Sequence, residues 1–211
     1  MKRTISFKWI TVATSILLII GPTACFFFDD DCPKASPYFE IQGLSTYNLT
    51  FTGPGTNPWR LVENNESIKY DSFFMRIGFE KSYYSNLNSR SGQYLYATSC
   101  EESGYLGSQI GVDTIYLVTL QDYNTQYSQN DTLNNIILTN YWTFVDDDFN
   151  NFFPLKNYIE ENKDGIMRDV FEIKIGEPPT DTSNDYSFKL IFILQNGDKF
   201  EKTTDNITLT K

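Results

Sequence analysis

Histidine is missing from all 211 residues. Its absence removes the Ser-His-Asp triad, the Cys-His pair and imidazole ligation of zinc in one step. The chemistry left to such a chain runs on carboxylates, lysine, tyrosine or a bound calcium, so a carboxylate-pair glycosidase stays open. Basic residues are also scarce: 17 Lys plus Arg stand against 27 Asp plus Glu, a net charge of −10. An acidic surface repels phosphate backbones, which excludes nucleic acid as a partner. Helical periodicity is confined to two short stretches, and no internal repeat is present. Cysteine occurs three times, at Cys25, Cys32 and Cys100.

What the chain does have begins at its start. "MKRTISFK" carries Lys2, Arg3 and Lys8 and no acid; "WITVATSILLII" is uncharged and mostly apolar; "GPTAC" follows. A basic head, an apolar stretch and small residues before a cut site define a secretory signal peptide, here residues 1–24. Because the residue behind Thr23 and Ala24 is Cys25, the expected outcome is acylation of that thiol and cleavage before it. In this the sequence resembles bacterial lipoproteins, and more closely the Bacteroidetes-type surface lipoproteins. Their acidic run behind the lipidated cysteine, which exports them to the cell surface, is matched by Asp29, Asp30 and Asp31. Two departures stand out: Pro22 occupies the place of the usual leucine, and three phenylalanines precede the aspartates. The resemblance implies a lipid-anchored protein of the outer membrane, on the cell surface, with the periplasmic face as the alternative. An uncleaved anchor is the competing reading, since residues 9–28 carry no charge and about 20 apolar residues span a bilayer. The Gly21-Pro22 pair and the threonines dilute that span.

Removing residues 1–24 leaves 187, enough for one medium domain. The mature chain then has 14 Lys plus Arg against 27 Asp plus Glu, a net of −13. Residues 25–35 read as a lipidated acidic tether and 36–211 as one domain. With Cys25 acylated, Cys32 and Cys100 either form a disulfide or stay as two free thiols. A bridge closing so long a loop would contribute about 4 kcal/mol in the chain-entropy account.

Strand signals dominate the domain. "YFEIQG" and "TYNLTFTG" alternate and end at glycine; "FMRIGFE" puts Met75, Ile77 and Phe79 on one face; "QYLYATS" and "VFEIKIG" repeat the pattern. "VDTIYLVTLQDYN" is apolar on both faces, as a central strand is. Helical turns are expected only in "DTLNNIIL" and in "PLKNYIEENKDG", where Leu155, Tyr158 and Ile159 share a face. Asn196-Gly197 predicts a type I′ hairpin turn. A two-residue turn pairs Ile193 with Phe200, whereas a one-residue bulge moves Phe200 onto the greasier face of Phe188, Leu190, Phe192 and Leu194; both registers remain open. "NITLTK" closes the chain as a short strand. The expected fold is all-β, an immunoglobulin-like β-sandwich of seven to nine strands with one or two short helices. The "FEKTTDNITL" tail, with "VDTIYLVT" followed by "YNTQYSQNDTLNNII", resembles a family of Bacteroidetes lipoproteins carrying a domain of unknown function. That resemblance implies no activity.

Four constellations bear on function. Trp59, Trp142, Tyr83 and Tyr84 offer flat faces that stack on sugar rings or fill a protein interface, although strands favour aromatics for packing alone. Asp146, Asp148 and Asn150 alternate like the opening of a calcium loop, but Asn151 and Asn157 stand where glycine and glutamate belong, so a solvated acidic loop is the plainer reading and no cofactor is expected. Thr132, in Asp131-Thr132-Leu133, matches the signature at which the same exported proteins carry O-glycans; Thr114 matches it too but sits in a strand. Glu101-Glu102 and Glu160-Glu161 are not placed as a catalytic pair. These readings favour a non-catalytic surface module that binds a glycan or a protein partner. A carboxylate-dependent glycosidase and a structural or adhesive surface subunit are the alternatives.

Overall fold

Residue alternation sets the frame. The computed structural model describes residues 35–52, 59–85, 102–140 and 151–211, all within one unit, Ala35–Tyr94 with Glu102–Lys211. The readings on Cys25, Cys32, Cys100, Trp142, Asp146, Asp148, Asn150 and "QYLYATS" lie outside the described residues. The strands are β1 (Tyr38–Phe51), β2 (Trp59–Leu61), β3 (Glu66–Lys69), β4 (Phe73–Tyr84), β5 (Val112–Thr119), β6 (Ile137–Asn140), β7 (Phe153–Pro154), β8 (Val170–Ile175), β9 (Asp185–Tyr186), β10 (Phe188–Leu194), β11 (Lys199–Thr203) and β12 (Ile207–Thr210). One α-helix among the described residues, α1 (Leu155–Glu161), lies between β7 and β8. The chain is all-β, with twelve strands among the described residues rather than seven to nine. The surplus comes from β2, β3, β7 and β9, each four residues or fewer and too short to show a period.

The first layer is a six-stranded sheet in the order β2-β1-β4-β8-β6-β7. β1 is one long strand where two were expected. Gly43 does not end it but sits at a register shift between Ile41 and Gly43. A Cβ there would lie 2.7 Å from Glu80 Oε2, so the missing side chain admits the partner strand's glutamate.

The second layer is built from two short sheets, β11-β10-β5 and β3-β12-β9. Only Ser187 separates β9 from β10. Thr203 lies opposite Lys189 and Ile207 opposite Tyr186, a slip of one residue. At that slip the Thr204 amide donates to Phe188 O (2.9 Å), and the Phe188 amide donates to Thr204 Oγ1 (3.0 Å). The layer therefore runs β3, β12 with β11, β9 with β10, then β5, broken by one bulge. Between the layers Phe73 stacks with Phe188, Phe79 meets Phe192 edge-on at 5.3 Å, and Tyr158 of α1 stacks on Phe171 at 4.4 Å. Each such ring contributes about 2–3 kcal/mol on burial.

Three local readings need correction. β5 is an edge strand, not a central one: Val112, Ile115 and Leu117 are buried, while Asp113 and Tyr116 face solvent. "DTLNNIIL" forms only a 3-10 turn, Asn134–Ile136, before β6, and a second such turn, Tyr70–Ser72, stands outside the helical region anticipated. The β10–β11 turn is not type I′, because Gly197 (φ 89°) is at positive φ and Asn196 is not. The Gly197 amide donates to Leu194 O and the Leu194 amide to Asp198 O, closing a three-residue loop. Phe192 thus pairs with Phe200, the bulged register, and the greasy face is kept intact.

Candidate functional site

Two surfaces at opposite ends of β1 collect the candidate residues. The first lies on the outer face of the six-stranded sheet. Pairing sets Trp59 beside Phe51 and Leu61 beside Leu49. Phe74 on β4 comes next, with Phe152 beyond it. Trp59 meets Phe51 at 5.4 Å and Phe74 at 4.9 Å, both edge-on, and Phe152 stacks on Phe74 at 5.4 Å. Lys174 Nζ rests over the Phe74 and Phe152 rings at 5.3 and 5.8 Å, a cation–π contact. Phe51, Tyr47 and Leu61 are exposed at the margin of this run, Leu61 at 60%. Beside it Arg76 donates from Nε and Nη2 to Glu172 Oε1. Asn140, opposite Glu172 on β6, is buried, and its Nδ2 finds no acceptor among the described residues.

The second surface is an open groove lined by Phe39, Glu40, Tyr84, Ser108 and Ile110 in one part (about 210 Å³), and by Gln109, Ile110, Gly111, Lys163, Asp164, Gln195 and Asn196 in the other (about 500 Å³). Ile110 belongs to both parts. Four distant segments meet here: the β1–β4 end, the 107–111 loop, the exit of α1 and the β10–β11 turn. The floor is fixed by backbone bonds. Ser108 exchanges two with Ile166 (2.7 and 2.9 Å), the Val112 amide donates to Asn162 O (2.8 Å), and the Gln195 amide donates to Gly111 O (3.0 Å). The chains approach so closely that a Cβ on Gly111 would lie 1.8 Å from Lys163 O. Tyr84 is held by a stack on Tyr38 at 5.7 Å, and its hydroxyl lies 3.5 Å from Gln109 Oε1. Burial, then the charge on Glu40, pushes the Tyr84 phenol upward.

The sequence candidates therefore separate. Trp59 belongs to the aromatic face, Tyr84 to the groove, and neighbouring strand residues point to opposite faces, so Tyr83 leaves Tyr84. Tyr83 lies against Gly104, with Lys81 Nζ 5.4 Å from its ring centre. Burial lowers the Lys81 pKa, but Asp169, its ion-pair partner, and Tyr83 more than offset this and leave it raised. Tyr123, Tyr158 and Tyr186 are fully buried, so packing accounts for them. Thr132 is exposed, its backbone bridging to Val118, while Thr114 is half-buried on β5. Glu160 and Glu161 are exposed at the end of α1, with Glu160 paired to Lys163. Among the described residues no three His, Cys, Asp or Glu side chains cluster to hold a metal, and no helix is long and apolar enough to cross a membrane. Sequence reading missed the groove and the Asn140 amide, because each depends on segments brought together only by the fold. Compared with family models and with curated proteins, the chain matches none.

Proposed function

We propose that the chain is a lipoprotein displayed on the cell surface, a non-catalytic module that binds a glycan or a protein partner. The observation that carries this reading is the aromatic run Phe51, Trp59 and Phe152 packed around the buried Phe74 on an outer sheet face, with Lys174 over its rings. Flat rings on a rigid sheet supply contact area at little entropic cost. The carboxylates that line the groove, Glu40 and Asp164, are both exposed. A glycosidase acid is instead held in a desolvated pocket facing its partner. Lipid attachment at Cys25 rests on the amino-terminal pattern, and surface export on Asp29, Asp30 and Asp31.

The reading is tested on a glycan array with a hydrolysis assay on the same sugars. Binding without turnover is expected, and Trp59→Ala should weaken it about tenfold, the worth of roughly 1.4 kcal/mol of aromatic contact. Radiolabelled palmitate should enter the wild type and not Cys25→Ala. Equal labelling would remove the anchor.

A further inference from the structure

We propose that the groove between Tyr84 and the β10–β11 turn binds a neutral saccharide chain. This rests on the reading of the protein as a binding module but places a contact separate from the aromatic face. Ten residues of β1 lie between Glu40 in the groove and Phe51 beside Trp59, ~35 Å along an extended strand.

The class of ligand follows from what the groove offers and what it lacks. Its wall carries amides and charges (Gln109, Gln195, Asn196, Glu40, Lys163, Asp164) together with one apolar strip, the Tyr84 ring with Ile110 and Phe39. An apolar ligand would strip water from those polar groups without replacing its bonds. A saccharide has both parts, a C–H face for the ring and hydroxyls for the amides.

Charge excludes the acidic sugars. The wall holds two carboxylates against one ammonium, Lys163 is already paired with Glu160, and the whole chain is at −10. Such a field repels uronates and sulfated glycans.

A peptide docking by strand addition needs unpaired backbone groups. In the floor those groups are taken: Ser108 N and O by Ile166, Ile110 N and O by Ser108 Oγ, Gly111 O by Gln195, Val112 N by Asn162. The same bonds hold the floor in place before any ligand arrives, which lowers the entropic cost of binding. The two volumes, about 500 and 210 Å³, share Ile110 in their walls; both are open to solvent and suit a segment of a longer chain rather than an enclosed small molecule.

The test is calorimetric titration of the full-length chain in detergent with maltohexaose, cellohexaose, xylohexaose and mannohexaose, with polygalacturonate as the anionic comparison. At least one neutral hexaose should bind, and polygalacturonate should not. Tyr84→Ala and Gln109→Ala should each weaken that binding about tenfold, and Tyr84→Phe, which keeps the ring, should stay within threefold. Circular dichroism melts of each variant establish that a loss is not unfolding, and Gln109→Ala, at an exposed loop position, carries the test if Tyr84→Ala does not fold. The proposal is overturned if none of the four hexaoses binds, if polygalacturonate binds as well as they do, or if the groove variants bind like wild type. If binding is instead lost only in Trp59→Ala, the groove is wrong while the binding-module reading stands.

Discussion

At the scale of single residues, exposed ion pairs give this acidic chain its response to pH. Arg60, reinforced by the Glu63 amide, holds the Glu66 carboxyl down at about 2, and Lys189 with Lys199 holds Glu201 at about 2. Each carboxyl is lower in the folded state than its ordinary value near 4.5. Their contribution is therefore complete above that ordinary value and is lost as the pH falls through about 2. Both lie at the surface, where salt screens them. With no histidine, no side chain at its ordinary pKa changes charge between pH 5 and 8. The urea midpoint should be flat across that window and fall between pH 4.5 and 2, with the fall shallower in 1 M NaCl. A midpoint that moves between pH 6 and 7.5 would contradict this.

At the scale of elements, β5 shows how the fold protects an edge. From Ile115 O to Thr119 its outward backbone groups are taken by residues 130–134. The Thr119 amide donates to Asp131 O, the Asn130 amide to Thr119 O and the Leu133 amide to Leu117 O. Asn134 completes the cover with its side chain: Oδ1 accepts from the Leu117 amide (3.1 Å), and Nδ2 donates to Ile115 O (2.7 Å). An asparagine here imitates a neighbouring strand and covers this half of the edge against a second chain. Asn134→Ala strands two backbone groups between buried side chains and should cost about 2 kcal/mol in urea unfolding. Asn134→Asp keeps the acceptor and should lose less. Faster amide exchange at Leu117 would locate the effect.

The same strand shows what was legible beforehand. Alternation exposed the inward faces of β4, β8 and β10, since Met75 and Ile77, Phe171 and Ile173, and Phe188, Leu190 and Phe192 repeat every second residue and all are buried. The apolar run of β5 was read as central because Tyr116 and Val118 are apolar, yet Tyr116 faces solvent. Alternation cannot tell which apolar residue finds a partner. The hairpin register turned on one bond, Leu194 to Asp198, that Asn-Gly chemistry alone does not dictate. Of the candidate sites, Trp59 and Tyr84 were picked for their chemistry, but their neighbours were not. Glu40, Gln109, Lys163 and Gln195 are far apart along the chain, and Gly107 and Gly111, residues with no side chain to notice, let their segments meet.

At the scale of the molecule, the central claim is that a chain without histidine, with an aromatic sheet face and a polar groove, holds its ligand and does not change it. The most direct measurement incubates the full-length chain with each neutral hexaose at saturating concentration and then recovers the sugar for mass analysis, alongside the calorimetric titration. The account predicts heat of binding with the hexaose recovered at full length. Shortened oligosaccharides, absent from a boiled control and abolished in Glu40→Gln or Asp164→Asn, would contradict it and make the protein a carboxylate glycosidase.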